Sequence, residues 1–84
     1  MVQISMYSTG WCYYCTMARE LMQSLGVEWT ETDIDQAGIS RQQLFELTGG
    51  RTVPQIVING QPVGGYRELS RLHSSGALGK LLSG

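Results

Sequence analysis

Near the N-terminus Val2, Ile4 and Met6 alternate with Gln3, Ser5 and Tyr7, a period of two that predicts a strand with one face toward a core. Ser8-Thr9-Gly10 then marks a turn. Beyond it Cys15, Ala18, Met22 and Leu25 recur at spacings of three, four and three, the stripe of an amphipathic helix that stops near Gly26, with Cys12 in its first turn. Val27 and Trp29 alternate with Glu28 and Thr30 as a second strand, and the segment from Ala37 to Thr48 reads as a helix closed by Gly49-Gly50. The β-branched run Ile56-Val57-Ile58 is followed by Asn59-Gly60, the strongest short hairpin signal, and by Gln61-Pro62-Val63. Gly64-Gly65 permits a tight turn into a last helix with Leu69 and Leu72 inward and Gly76 as its stop. The order is βαβαββα. A right-handed first crossover and a closing hairpin make this an α/β fold with a four-stranded mixed sheet and three helices.

Eighty-four residues, 42% hydrophobic and 15% charged, suffice for one domain spanning 1–84 and not for two cores. The formal net charge is −1, and the six Lys and Arg residues are scattered, so there is no basic field for nucleic acid. No apolar run reaches the roughly 20 residues of a membrane span, and nothing like a secretory leader precedes Val2. These readings point to a soluble, cytoplasmic chain. Two cysteines are too few for a stapled secreted scaffold, and a close pair in a reducing compartment is catalytic or metal-binding more often than structural. His73 lies far along the chain, so no zinc ligand set gathers around Cys12 and Cys15.

A Cys-X-X-Cys pair at a helix start sets one sulfur among the free N–H groups and at the positive dipole end, which favours thiolate over thiol. The second sulfur lies on the same side of the first turn, within reach of a short disulfide. Cys12 belongs to the loop edge, whereas Cys15 shares the apolar stripe. Cys12 is thus the attacking sulfur and Cys15 the resolving one. The plainer alternative, two ordinary core cysteines, suits Cys15 but leaves Cys12 without a periodic place in a core. Tyr13 lies off the stripe and reads as a surface residue.

Trp11-Cys12-Tyr13-Tyr14-Cys15, Arg51-Thr52-Val53-Pro54, Gly64-Gly65 and the closing Gly76-Ala77-Leu78 with Leu81-Leu82 together resemble a dithiol glutaredoxin of the thioredoxin fold. The resemblance implies a glutathione-dependent oxidoreductase, acting as a monomer on protein disulfides and glutathione mixed disulfides. It implies a cis bond before Pro54 that holds the Val53 backbone beside the active sulfur, where N–H and C=O pair with an extended glutathione. By the same resemblance Tyr14 flanks the tripeptide, Arg41 reaches its glycine carboxylate, and Thr52, Gly65, Tyr66 and Arg67 complete the site. For Arg41 the alternative is a solvated helix residue.

Three positions depart from that pattern. Tyr13 stands where many members carry proline, Thr9 where a lysine is common, and Tyr66-Arg67 where a Cys or Ser and then an Asp meet the γ-glutamyl ammonium. Arg67 has the opposite sign, and one expectation is that it relocates the missing cation beside Cys12; the other is that it lies along the last helix in water. An aromatic-Arg pair at this place also resembles redoxins that are served by a thioredoxin-reductase-like flavoenzyme and feed ribonucleotide reductase. A third reading is a [2Fe–2S] cluster held by Cys12 and glutathione from two subunits, since loss of the active-site proline accompanies that behaviour in some glutaredoxins.

Overall fold

The computed structural model describes residues 2–83. Its elements are β1 (Ile4–Ser8), α1 (Tyr13–Ser24), β2 (Thr30–Asp33), α2 (Arg41–Thr48), β3 (Gln55–Ile58), β4 (Gln61–Gly64), α3 (Tyr66–Ser75) and α4 (Ala77–Ser83). The strands lie in the order β2-β1-β3-β4, with β1 parallel to β2 and antiparallel to β3, and β3 antiparallel to β4. This is the expected mixed sheet.

Alternation places Ile4, Met6 and Ser8 of β1 on the buried face, with Ile56 and Ile58 of β3 beside them. Ala18 and Met22 of α1, Leu69 of α3 and Leu78 of α4 close over that face and complete one apolar cluster. Each of the large side chains buried there contributes about 1.5–3 kcal/mol against leaving it in water. The α2 helix packs against β3 and buries Leu44.

Asn59 and Gly60 both take positive φ, 52° and 80°, so the β3–β4 hairpin turns as the Asn-Gly pair predicts. Gly76 ends α3 in the left-handed conformation at φ 84°.

Four expectations need correction. There are four helices rather than three, because Gly76 ends one helix without ending helical structure: Ala77, Leu78, Leu81 and Leu82 form a further short turn, and Leu78 is buried in the core. The second strand begins at Thr30, where pairing with Ser5 of β1 starts, and not at Val27. Val27 and Trp29 are instead half-buried against the core on the approach from the Gly26 reversal. The helix expected from Ala37 begins only at Arg41, because Asp33 Oδ1 draws in the N–H groups of Asp35 and Gln36, at 2.9 and 3.2 Å, and winds residues 34–38 into turns. Ser40 then caps α2, exchanging hydrogen bonds with Gln43 in a capping box. Finally, Cys12 precedes the first turn of α1 as its N-cap instead of lying within it.

Parallel and antiparallel pairing brings the end of β1, the start of β3 and the end of β4 to one edge of the sheet. The N-termini of α1 and α3 open there too.

Candidate active site

Cys12 has extended backbone, φ −150° and ψ 106°, and its Sγ accepts the N–H of Cys15 at 3.1 Å. A sulfur thus occupies the place that a Ser or Asp oxygen takes in an ordinary N-cap. The same Sγ lies 3.6 Å from the carbonyl oxygen of Val53, a contact that would favour a protonated thiol in the reduced protein. The two influences oppose each other. The N–H contact is the closer, and the positive end of the α1 dipole lies on the same side.

Cys15 is wholly buried, at 0% exposure, on the stripe it shares with Ala18 and Met22. The two cysteines form a disulfide with their Cα atoms 5.1 Å apart. Cys12 is half-buried and is the sulfur a substrate can reach. Thr9 holds the preceding loop, its hydroxyl donating to the Trp11 carbonyl at 3.4 Å, which gives a structural use to a position without the expected lysine.

The bond between Val53 and Pro54 is cis. Pro54 is buried and its carbonyl faces Gly65, where a Cβ would stand 3.3 Å from that oxygen. Gly64 holds φ 109°, a left-handed conformation that glycine adopts without strain. The two glycines therefore let the start of α3 close on the Pro54 loop. Glu68 fixes the entry by accepting the Gly65 N–H at 2.8 Å.

Together these segments enclose a groove of about 510 Å³ lined by Tyr14, Thr52, Val53, Pro54, Gly65, Tyr66, Arg67 and Glu68. Tyr14 and Tyr66 stack across it, ring centroids 6.2 Å apart and planes 24° apart. Seven of the residues singled out in the sequence meet in this lining. Arg41 does not: its Nη1 donates to the Arg51 carbonyl at 2.9 Å and braces the loop that leads to Thr52. Arg51 in turn lies over the Phe45 ring, 4.2 Å from its centroid. Arg67 is exposed, and the contacts of the Cys12 sulfur are with Cys15 and Val53.

Three residues of the site's framework were not anticipated. Glu68 sits three positions after Gly65, a helix-start spacing visible in the sequence. Gln55 is buried and its amide donates to the carbonyl and hydroxyl of Thr52, at 3.0 and 3.4 Å; a Cβ at Gly50 would overlap that amide. Glu31 of β2 receives Arg19 of α1 at 2.6 Å, the Ser8 hydroxyl at 2.8 Å and the Trp29 indole N–H at 3.2 Å. Arg19, foremost among these partners, and then Ser8 and Trp29 hold the Glu31 carboxyl down to about 2 against desolvation.

The glutaredoxin family model matches residues 4–63. A glutaredoxin of Pseudomonas aeruginosa is 40% identical over 83 residues, 99% of this chain and 99% of that protein. A mitochondrial glutaredoxin-2 of Pongo abelii is 37% identical over 78 residues, 89% of this chain but 48% of that protein, so the chain spans about half the length of this relative. Among solved structures, the crystal structure of a buckwheat glutaredoxin–glutathione complex superposes with a TM-score of 0.88 at 29% identity, covering 98% of this chain and 77% of the other. A capping sulfur, a buried partner sulfur and a cis-Pro loop beside them are thus set in a domain with this likeness along most of its length, and the chain belongs to the glutaredoxin family of thiol-disulfide oxidoreductases.

Proposed function

We propose that this chain reduces protein disulfides and glutathione mixed disulfides at the expense of glutathione, as a monomer in the cytoplasm. The observation that carries the reading is the position of Cys12 Sγ. It is held by the Cys15 N–H and touches the carbonyl of Val53, a residue that lines the groove together with Tyr14, Tyr66 and Arg67.

Attack by the Cys12 thiolate on a substrate disulfide forms one S–S bond and expels the other substrate sulfur as a thiolate, which takes a proton from solvent. Cys15 gives up its proton and attacks Cys12. The second substrate thiol leaves, and Cys12–Cys15 remains as the disulfide seen in the structure. Two electrons have then passed to the substrate, and two molecules of glutathione restore the dithiol while becoming glutathione disulfide. When the substrate is a glutathione mixed disulfide, glutathione attached to Cys12 is displaced by a second glutathione, and Cys15 is not needed.

Glutathione is an extended tripeptide, and the Val53 backbone offers it main-chain pairing of the strand-addition kind. Tyr14 and Tyr66 flank the groove, while Thr52, Pro54 and Gly65 shape it. Arg67 supplies a cation for a carboxylate. Arg41 acts from outside the lining, through the Arg51 carbonyl. The buckwheat protein, solved as a glutathione complex, lends support by its likeness.

Arg67 also favours a second reading, in which a thioredoxin-reductase-like flavoenzyme reduces the disulfide and ribonucleotide reductase is an acceptor, since the groove carries a cation where the γ-glutamyl ammonium would lie. NADPH oxidation decides between them. Glutathione with glutathione reductase is expected to sustain turnover, and thioredoxin reductase is not; the reverse result rejects glutathione as the reductant.

A [2Fe–2S] cluster takes four sulfurs, and with Cys15 buried each chain would offer Cys12, the remaining sulfurs coming from glutathione and a second chain. No step here is routed through iron.

A further inference from the structure

The loop that carries Val53 is held by side chains. The Gly50 N–H donates to the Thr48 hydroxyl at 3.2 Å, the Arg51 carbonyl accepts Arg41 Nη1 at 2.9 Å, and the Thr52 carbonyl accepts Gln55 Nε2 at 3.0 Å. Of the two carbonyl braces, Arg41 acts from an exposed position and Gln55 from inside the fold, where it is 4% exposed. Gln55 opens β3 in register with Tyr7 of β1, so its amide is projected from a fixed element. The same Nε2 lies 3.4 Å from the Thr52 hydroxyl. Space for the amide exists because residue 50 has no side chain, and a Cβ there would overlap it.

The peptide that joins Thr52 to Val53 is trans, and in a planar trans peptide the C=O and N–H point in opposite directions. Fixing the Thr52 carbonyl on Gln55 therefore turns the Val53 N–H away from Gln55. That N–H meets no acceptor among the described residues, and Thr52 and Val53 both line the groove. A backbone donor left without a partner in a groove wall is placed for a ligand. The next carbonyl, that of Val53, is the one 3.6 Å from Cys12 Sγ.

We propose that Gln55 is a positioning residue of the disulfide site: by holding the Thr52 carbonyl inward, it presents the Val53 N–H to the main chain of an extended cysteinyl ligand. The proposal rests on the glutathione reading of the groove and deepens it. Without the brace, the Thr52–Val53 peptide is free to rotate and to offer an acceptor where the ligand requires a donor. Glutamine suits the place because its amide supplies an N–H at the end of an uncharged side chain, so burial desolvates no charge.

The test follows single turnovers of fully reduced protein on two disulfides. Oxidised glutathione has a peptide main chain to pair with Val53, and hydroxyethyl disulfide has none. With either, the thiols of Cys12 and Cys15 pass two electrons to the disulfide, which leaves as two thiols while Cys12–Cys15 becomes oxidised. Gln55→Met keeps the length of the side chain and removes its N–H. It is expected to slow the reaction with oxidised glutathione about tenfold and to leave that with hydroxyethyl disulfide within about twofold. Gly50→Ala displaces the Gln55 amide by its added Cβ and should give the same split, which keeps the test open where Gln55→Met fails to fold. The Thr52 carbonyl carbon, hydrogen-bonded in the unaltered protein, should move upfield in the NMR spectrum of both variants. Equal slowing of the two disulfides, slowing of neither, or a Thr52 resonance that stays in place would overturn the positioning role. Failure of the unaltered protein to reduce oxidised glutathione, with the Thr52 resonance moving as described, would instead reject glutathione as the ligand and leave the hold of Gln55 on this peptide standing.

Discussion

The two ends of the contact between α1 and the sheet are built oppositely. At the Glu31 end each oxygen of the carboxylate is engaged, by Arg19, Ser8 and Trp29, and the network ties α1 to β1 and β2. At the Cys12 end the capping position goes to a sulfur that can give up its contacts, the partner cysteine is sealed in the core, and Trp11, Tyr13 and Tyr14 stand exposed. A saturated hydrogen-bond network holds two elements in register. An N-cap left to a reactive atom leaves the helix end free to exchange bonds, and the sequence puts these two arrangements seven residues apart on one helix, at Cys12 and Arg19.

The largest effect should come from the reactive end. Cys12→Ser is expected to abolish turnover on every disulfide, because a serine hydroxyl can cap α1 but is a poor nucleophile without an adjacent base. The helix should remain, so circular dichroism would be unchanged while the coupled assay falls to the background rate. Cys15→Ser removes the resolving sulfur only. It should accumulate mixed disulfides with protein substrates, visible as covalent adducts on a non-reducing gel, while continuing to release glutathione from a glutathionylated thiol.

Effects on stability should be smaller. Gly50→Ala drives a Cβ into the Gln55 amide that holds Thr52, and about 1–3 kcal/mol of overpacking should appear as a lower midpoint in urea. The smallest change should be Glu31→Gln. With its carboxyl lowered to about 2 from 4.5, Glu31 contributes stability that is present above its unfolded value and is lost as pH falls through the folded one. Partial exposure screens the pair, so the variant should be weaker by about 1 kcal/mol near pH 7, with the difference closing between about pH 4.5 and 2. A gap that stayed constant down to pH 2 would show that the charge on Glu31 is not what joins α1 to β2.

Local rules reached much of this arrangement from the sequence. Cys15 on the Ala18–Met22 stripe, the Asn59-Gly60 hairpin, the Gly76 stop and the gathering of Tyr14, Val53, Pro54 and Tyr66 at one groove each depended on spacing or on a family pattern. What escaped depended on tertiary context. Val27 and Trp29 alternate as a strand should, yet β1 has no partner for them until Thr30. The turns after Asp33 delay α2 to Ser40, although the Ser40-x-x-Gln43 box was present to mark its start. Arg41 stands outside the groove's lining, with its Nη1 on the Arg51 carbonyl ten residues away, a placement that no local pattern shows. Gln55 carries no motif at all, and its role exists only because Gly50 leaves room beside Thr52.

The central claim is that one of two sulfurs three residues apart does the attacking. Fully reduced protein, treated briefly with limiting iodoacetamide at neutral pH and mapped by peptide mass spectrometry, reads that assignment directly. The label should fall on Cys12, capped by an N–H and half-buried, with Cys15 unmodified in its buried place. Labelling of Cys15 first, or of both sulfurs at equal rates, would contradict the account.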